Sequence, residues 1–144
     1  MRALISACLL GVECKYNGGS NALPKEVLAE LAEKYELVPV CPEAYGGLPT
    51  PRPPSERVGD RVLSKMGGDV TENFNRGAEA ALQLCKLLDC RLAMLKERSP
   101  SCGHDYIYDG SFTGTVVPGD GLAAELLRKN GIPVYGESEI ESLL

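Results

Sequence analysis

Short apolar blocks alternate with polar, glycine-rich stretches, and the spacing of the apolar positions changes from block to block. Ala3 to Ala7 is a nearly continuous apolar run with a β-branched residue at its centre, the pattern of a strand buried on both faces. From Pro24 to Lys34 the period becomes helical: Val27, Leu28, Leu31, Ala32 and Tyr35 form one stripe, and Pro24 suits a first helical position. Leu37 to Val40 predicts a second buried strand. The segment from Pro42 to Gly59 holds Pro42, Pro49, Pro51, Pro53 and Pro54, which predicts an irregular connection without regular helix or central strand. A connection of that length inside a compact domain is commonly functional. Arg61 to Val70 predicts a hairpin turning at Lys65-Met66-Gly67-Gly68.

Beyond it, a long helix is predicted over Thr71 to Leu88, with Phe74, Ala78, Ala81, Leu82, Cys85 and Leu88 on its buried face and Asp69 and Glu72 as a capping box. Leu92 to Leu95 is the third strand, His104 to Gly119 a loop rich in glycine and tyrosine. A third helix spans Gly121 to Asn130, capped by Asp120 and stopped by Gly131. Ile132 to Tyr135 is a fourth strand, and Ser138 to Leu144 a last helical turn with Ser138 and Glu141 as its capping box. Strands alternating with helices predict an α/β fold: a three-layer, open parallel sheet of the Rossmann or flavodoxin-like kind, helices on both faces, strands 1 and 3 adjacent at its centre.

With 144 residues the chain is expected to form a single domain, 1–144, large enough to bury roughly 70% of its unfolded surface without disulfides. The formal charge of −5, with Lys and Arg scattered, argues against a nucleic-acid backbone as partner. No run approaches the ~20 apolar residues of a membrane span. The N-terminal apolar run is too short for a signal peptide, and Glu13 and Lys15 follow it closely, so a cytoplasmic location is expected. A monomer or weak homodimer is the expected state. Neither a G-x-G-x-x-G nor a Walker A loop occurs, which leaves nicotinamide cofactors and nucleoside triphosphates without support.

Six cysteines change the picture. A reducing compartment disfavours a disulfide framework, so metal or catalysis is the better use for them. Cys8 follows the first strand, Cys41 ends the second and Cys102 lies shortly after the third. In an open parallel sheet those carboxyl ends share one edge, where ligands bind. Three converging thiolates repel one another unless a cation neutralises them, and soft sulfur donors select zinc, cuprous copper or iron–sulfur clusters. Paired C-x-x-C knuckles, frequent in structural zinc sites, are absent. Three thiols with an open fourth position suit a cluster that keeps one iron free for substrate. Cys14 as a fourth ligand makes a closed, structural site instead, and the chain is then a binding module. Cys85 and Cys90 read as core residues.

Glu43 puts a carboxylate at the mouth of the same crevice, fit for acid or base work. Ser99 and Ser101 are both candidates to bond a substrate. Arg52 is expected to pair with Glu43 or Glu56, and His104 to lie on a solvated loop. A metal-free enzyme with Cys102 as nucleophile and His104 as its base is a further reading.

On Ser6-Ala7-Cys8-Leu9-Leu10-Gly11, Cys14-Lys15-Tyr16-Asn17-Gly18, Cys41-Pro42-Glu43, Gly46-Gly47-Leu48-Pro49-Thr50-Pro51-Arg52, Lys96-Glu97-Arg98-Ser99-Pro100-Ser101-Cys102-Gly103 and Ile107-Tyr108-Asp109-Gly110, the chain resembles the family once called domain of unknown function 523, which includes the thiouracil desulfurases. The resemblance runs over essentially the whole chain; Asn17 departs from it, where the family often has Asp. It implies a [4Fe-4S] cluster held by three cysteines, matching Cys8, Cys41 and Cys102, with the fourth iron taking the substrate's sulfur. It implies assistance from a glutamate and a serine, matching Glu43 and Ser101, with Ser99 the rival serine. The implied reaction is non-redox desulfuration of a small thiolated nucleobase such as 2-thiouracil.

Overall fold

The structure, a computed structural model, describes residues 1–144. In chain order the elements are β1 (Arg2–Ser6), α1 (Lys25–Lys34), β2 (Glu36–Val40), α2 (Pro42–Tyr45), β3 (Ser55–Val58), β4 (Arg61–Ser64), α3 (Thr71–Leu87), β5 (Cys90–Leu95), β6 (Tyr106–Tyr108), β7 (Val116–Pro118), α4 (Leu122–Lys129) and β8 (Val134–Gly136). Two 3₁₀ turns complete them, Ala7–Leu10 after β1 and Glu137–Leu143 after β8. No helix is long and apolar enough to cross a membrane.

The central sheet has the order β2-β1-β5-β8 with all pairs parallel, so the first and third strands of the sheet are neighbours, as the sequence predicts. Alternation along buried strands sorts the side chains into two faces. Leu4, Ala93 and Leu95 meet Ala81 and Cys85 of α3 and Ala124 and Leu127 of α4. Ala3, Ile5, Leu92 and Met94 meet Leu31 of α1, Tyr35, and Ile140 of the last 3₁₀ turn. Helical elements therefore cover both faces, which makes three layers. Leu31 is fully buried, the one residue of α1 that is, so Leu31→Ala removes that helix's main anchor at a cost of about 2–5 kcal/mol.

Several local expectations are corrected. The stretch from Pro42 to Gly59 is not wholly irregular. Pro42 starts α2, where its missing N–H costs nothing, and Ser55–Val58, after the last proline, forms β3. β3 pairs antiparallel with β4 from Ser55↔Ser64 to Val58↔Arg61, so the main hairpin turns at Gly59-Asp60. The turn expected at Lys65–Gly68 exists, closed by Gly67 N–H to Ser64 O at 2.9 Å, but only the single bridge Leu63↔Asp69 follows it. The loop from His104 to Gly119 contains the β6–β7 hairpin.

The predicted caps also differ, because each side chain serves another partner. Asp69 accepts from the Thr71 N–H at 2.9 Å, yet Val70 is the cap and no reciprocal bond comes from Glu72. Asp120 accepts from the Asp105 N–H at 2.8 Å and from Arg128 at 2.9 Å, leaving Gly121 as the cap of α4. Ser138 donates to Glu97 at 2.7 Å, while Glu139 accepts from the Gly136 N–H at 3.0 Å. Pro24 caps α1 from just outside it.

Candidate metal centre at the carboxyl edge of the sheet

A cleft of about 530 Å³ opens beyond the carboxyl ends of β1, β2 and β5, and Cys8, Cys14, Cys41, Cys102, Glu43 and Ser101 all line it. Each arrives on a different device. Cys8 rides the 3₁₀ turn after β1. Its carbonyl accepts from Gly11 at 3.2 Å and Asn21 at 3.0 Å, folding the following loop back against it. Gly11 ends that turn at φ 98°, a left-handed conformation that glycine adopts without strain.

Cys41 is the cap residue between β2 and α2 and carries Pro42 and Glu43 into the cleft. What fixes α2 is its close approach to α3: a Cβ on Gly77 would drive into the Pro42 carbonyl, and one on Gly46 into the Asn73 carbonyl. Asn73 adds a bond from Nδ2 to Gly46 O at 2.8 Å.

Cys102 belongs to a loop that caps α4 with its own backbone. Leu122 N–H donates to Pro100 O at 2.9 Å, Ala123 N–H to Ser101 O at 2.9 Å and Gly121 N–H to Gly103 O at 2.7 Å. These carbonyls satisfy amides that a helix N-terminus otherwise leaves free, so no side-chain cap is needed. Ser99 Oγ accepts from the N–H groups of Ser101 and Cys102, each at 3.1 Å, and so shapes the loop from inside.

One polar network runs through the cleft. Ser101 Oγ lies 3.1 Å from Glu43 Oε2, 3.0 Å from Ser99 Oγ and 3.5 Å from Cys102 Sγ. The other Glu43 oxygen accepts from Arg52 Nε at 3.0 Å. Arg52 also donates to Pro49 O at 3.2 Å, Thr50 Oγ1 at 2.9 Å and Cys14 O at 2.9 Å. Its side chain is 5% exposed and that of Glu43 17%. Of the two expected partners of Arg52, the structure selects Glu43. A pair this enclosed is costly to break, because removing one member strands the other charge. Glu56 instead accepts from backbone amides of the β6–β7 hairpin tip.

Burial pushes the thiols of Cys8, Cys14 and Cys102 up, Cys14 and Cys102 to about 12; the neighbouring Cys41 adds to the rise at Cys14 and Cys8. Without a cation these thiols stay protonated at neutral pH, whereas a nucleophilic cysteine needs a lowered value. His104, expected on a solvated loop, has a side chain only 8% exposed and bonds Glu139 through Nε2 at 2.6 Å. It does not line the cleft. The pairing of Cys102 with a His104 base is therefore not formed.

All six cysteines are free. No three cysteine, histidine or carboxylate side chains stand close enough to share a single ion. Soft thiols from three strand ends gathered in one cleft are a donor set that an iron–sulfur centre takes. Sequence reasoning missed Glu56, Tyr108 and Phe112, which reach the cleft from the two hairpins; the one signal for Phe112 is an aromatic residue set among turn-forming residues.

Comparison with known proteins agrees along the whole length. The solved structure of the [4Fe-4S]-dependent thiouracil desulfidase TudS is 46% identical in sequence and superposes with a TM-score of 0.94, covering 99% of this chain and 94% of that one. The uncharacterised protein YbbK of Bacillus subtilis (strain 168) is 38% identical over 151 residues, covering 98% of this chain and 99% of that protein. The family model of the 2-thiouracil desulfurases matches residues 3–139, and on that match the chain belongs to the 2-thiouracil desulfurase family.

Proposed function

We propose that this enzyme removes sulfur from a thiolated nucleobase of the 2-thiouracil kind, with Cys8, Cys41 and Cys102 holding a [4Fe-4S] cluster. The observation that carries the reading is the meeting, in one cleft, of thiols from three separate strand ends with the hydrogen-bonded pair of Glu43 and Ser101. When bound, the cluster supplies a Lewis-acidic iron with an open position for the thiocarbonyl sulfur. The overall change is a hydrolysis: the thiocarbonyl carbon exchanges sulfur for the oxygen of water, and sulfide leaves, with no net oxidation.

The chain's own groups manage the protons. Arg52 occupies one oxygen of Glu43, so the other is directed to Ser101 and the cleft. Glu43 takes a proton from the attacking water at that oxygen. Ser101, between Glu43 and Cys102, orients the base and passes a proton to its ring nitrogen. Ser99 holds the loop that presents Ser101. The resemblance to TudS supports the cofactor and the reaction type, and the polar network supports the residue roles.

The test is anaerobic reconstitution followed by iron and acid-labile sulfide analysis and by chromatography of 2-thiouracil incubations. About four irons per chain and release of uracil are expected. Protein that binds no iron under these conditions, or loaded protein that leaves 2-thiouracil intact, overturns the reading.

A further inference from the structure

The tip of the β6–β7 hairpin reads Asp109-Gly110-Ser111-Phe112-Thr113-Gly114-Thr115, turn-forming residues around one apolar ring. The chain has 2 phenylalanines. Phe74 is fully buried with Val62 of β4 and Ala78 of α3. Phe112 is half-buried, joins none of the three core clusters, and lines the cleft that holds Cys8, Cys41, Cys102, Glu43 and Ser101.

The protein holds this ring in place against a local preference. Phe112 has φ 57°, a left-handed conformation that bulky side chains rarely adopt and that persists only where the surroundings enforce it. The enforcing group is Glu56 on β3, 9% exposed, one of whose oxygens accepts both the Gly110 N–H at 2.9 Å and the Phe112 N–H at 3.1 Å. Gly110, at φ 96°, lets the tip lie directly on β3, since a Cβ there would strike Val58. Asp109 accepts from the Ser111 N–H at 2.9 Å, and the hydroxyls of Ser111, Thr113 and Thr115 follow one another at 2.6 and 2.9 Å. A nearly buried carboxylate thus serves the amides of a surface tip, and the side chain it fixes is an aromatic ring at the mouth of the site.

We propose that Phe112 is the base-stacking residue of this site: its ring covers one face of the thiolated heterocycle and selects planar aromatic thiocarbonyl substrates, with Glu56 as its positioning residue. The inference rests on the desulfuration proposed above and specifies how that site recognises its substrate. Every nucleobase has a π-face that stacks on an aromatic ring whatever its substituents. Glu56 acts through the tip, whose Gly110 and Phe112 amides its Oε1 accepts.

The sequence contains no tryptophan, so Phe112→Trp installs a single fluorescent reporter at the proposed contact. Cluster-loaded Phe112→Trp protein is titrated with uracil, and saturable quenching is expected. In parallel, loaded Phe112→Ala should keep its iron while its KM for 2-thiouracil rises roughly 5- to 100-fold, the range for loss of one base–aromatic stack. Phe112→Tyr should restore KM. Glu56→Ala should raise KM, and Glu56→Gln, which keeps an acceptor oxygen for both amides, should not. An unchanged KM in Phe112→Ala, or an unquenched reporter, overturns the inference while wild-type turnover leaves the desulfuration standing. Loaded wild type that converts no 2-thiouracil removes both.

Discussion

The cysteines form two groups at opposite ends of the central strands. Cys90 opens β5, and Cys85, in the last turn of α3, donates to the Cys90 carbonyl at 3.6 Å. Cys8, Cys14, Cys41 and Cys102 gather beyond the carboxyl ends. Burial raises thiols in both groups, Cys85 to about 11 and Cys102 to about 12, so a raised thiol does not distinguish them. Their neighbours do. Cys85, Cys90 and Cys102 share one apolar cluster with Ala81, Ala93, Leu127 and Val134, but of the three only Cys102 also lines the cleft and stands beside Ser101, which bonds Glu43. A thiol becomes a candidate ligand through an open cleft and polar company, not through being a buried cysteine.

The sharpest way to break that division is to truncate both groups. Changing Cys8, Cys41 or Cys102 to serine should abolish iron binding and turnover together. Cys85→Ala and Cys90→Ala should keep full iron and lose about 1 kcal/mol of stability, the cost of a small core deletion. Iron analysis beside thermal melts separates the groups, and an empty Cys85→Ala protein would sink the distinction. Next in size, Glu43→Gln should retain iron and lower kcat roughly a hundred- to ten-thousand-fold, the range for a general acid–base group; a variant with undiminished kcat removes Glu43 from the proton path.

Cys14 sharpens the boundary of the rim group. Cys14→Ser should keep its iron, and loss of iron there would convert the open three-thiol site into a closed four-thiol one. The smallest effect concerns the core pair. The Cys85 thiol is raised from 9.0 to about 11 in the folded chain, so between those values the unfolded state has released a proton that the folded state still holds. Its contribution to stability is therefore complete below pH 9 and falls as pH rises toward 11. Melting temperatures of wild type should decline more steeply over that window than those of Cys85→Ala, and parallel curves would show that Cys85 does not contribute.

Much of this was legible in the sequence because the informative features were long or topological. The buried runs at Ala3–Ala7 and Leu92–Leu95, with intervening helical stripes, lead to the observed strand order and hence to one edge for Cys8, Cys41 and Cys102. The short elements were not legible. α2 hides behind Pro42, which reads as a breaker although the first helical position tolerates it, and the three-residue strands β6 and β7 carry too little pattern among glycines. The expected caps at Asp69, Asp120 and Ser138 failed because their side chains serve other partners: Thr71 and Arg61 at Asp69, Arg128 at Asp120 and the distant Glu97 at Ser138. Phe112 escaped because its place in the cleft depends on Glu56, more than fifty positions away in sequence.

The strand order also dictates a schedule during synthesis. β1 is made first but lies between β2 and β5, so one of its hydrogen-bonding edges has no partner until Leu95 has left the ribosome. At about 5–20 residues per second that interval lasts several seconds. Throughout it the nascent chain presents the apolar edge of Ala3, Leu4 and Ile5 to whatever is nearby, another nascent copy included. Slow emergence or chaperone cover of the first half of the chain should therefore govern soluble yield more than the stability of the finished sheet, and any centre that needs Cys102 can be built only after this gap has closed.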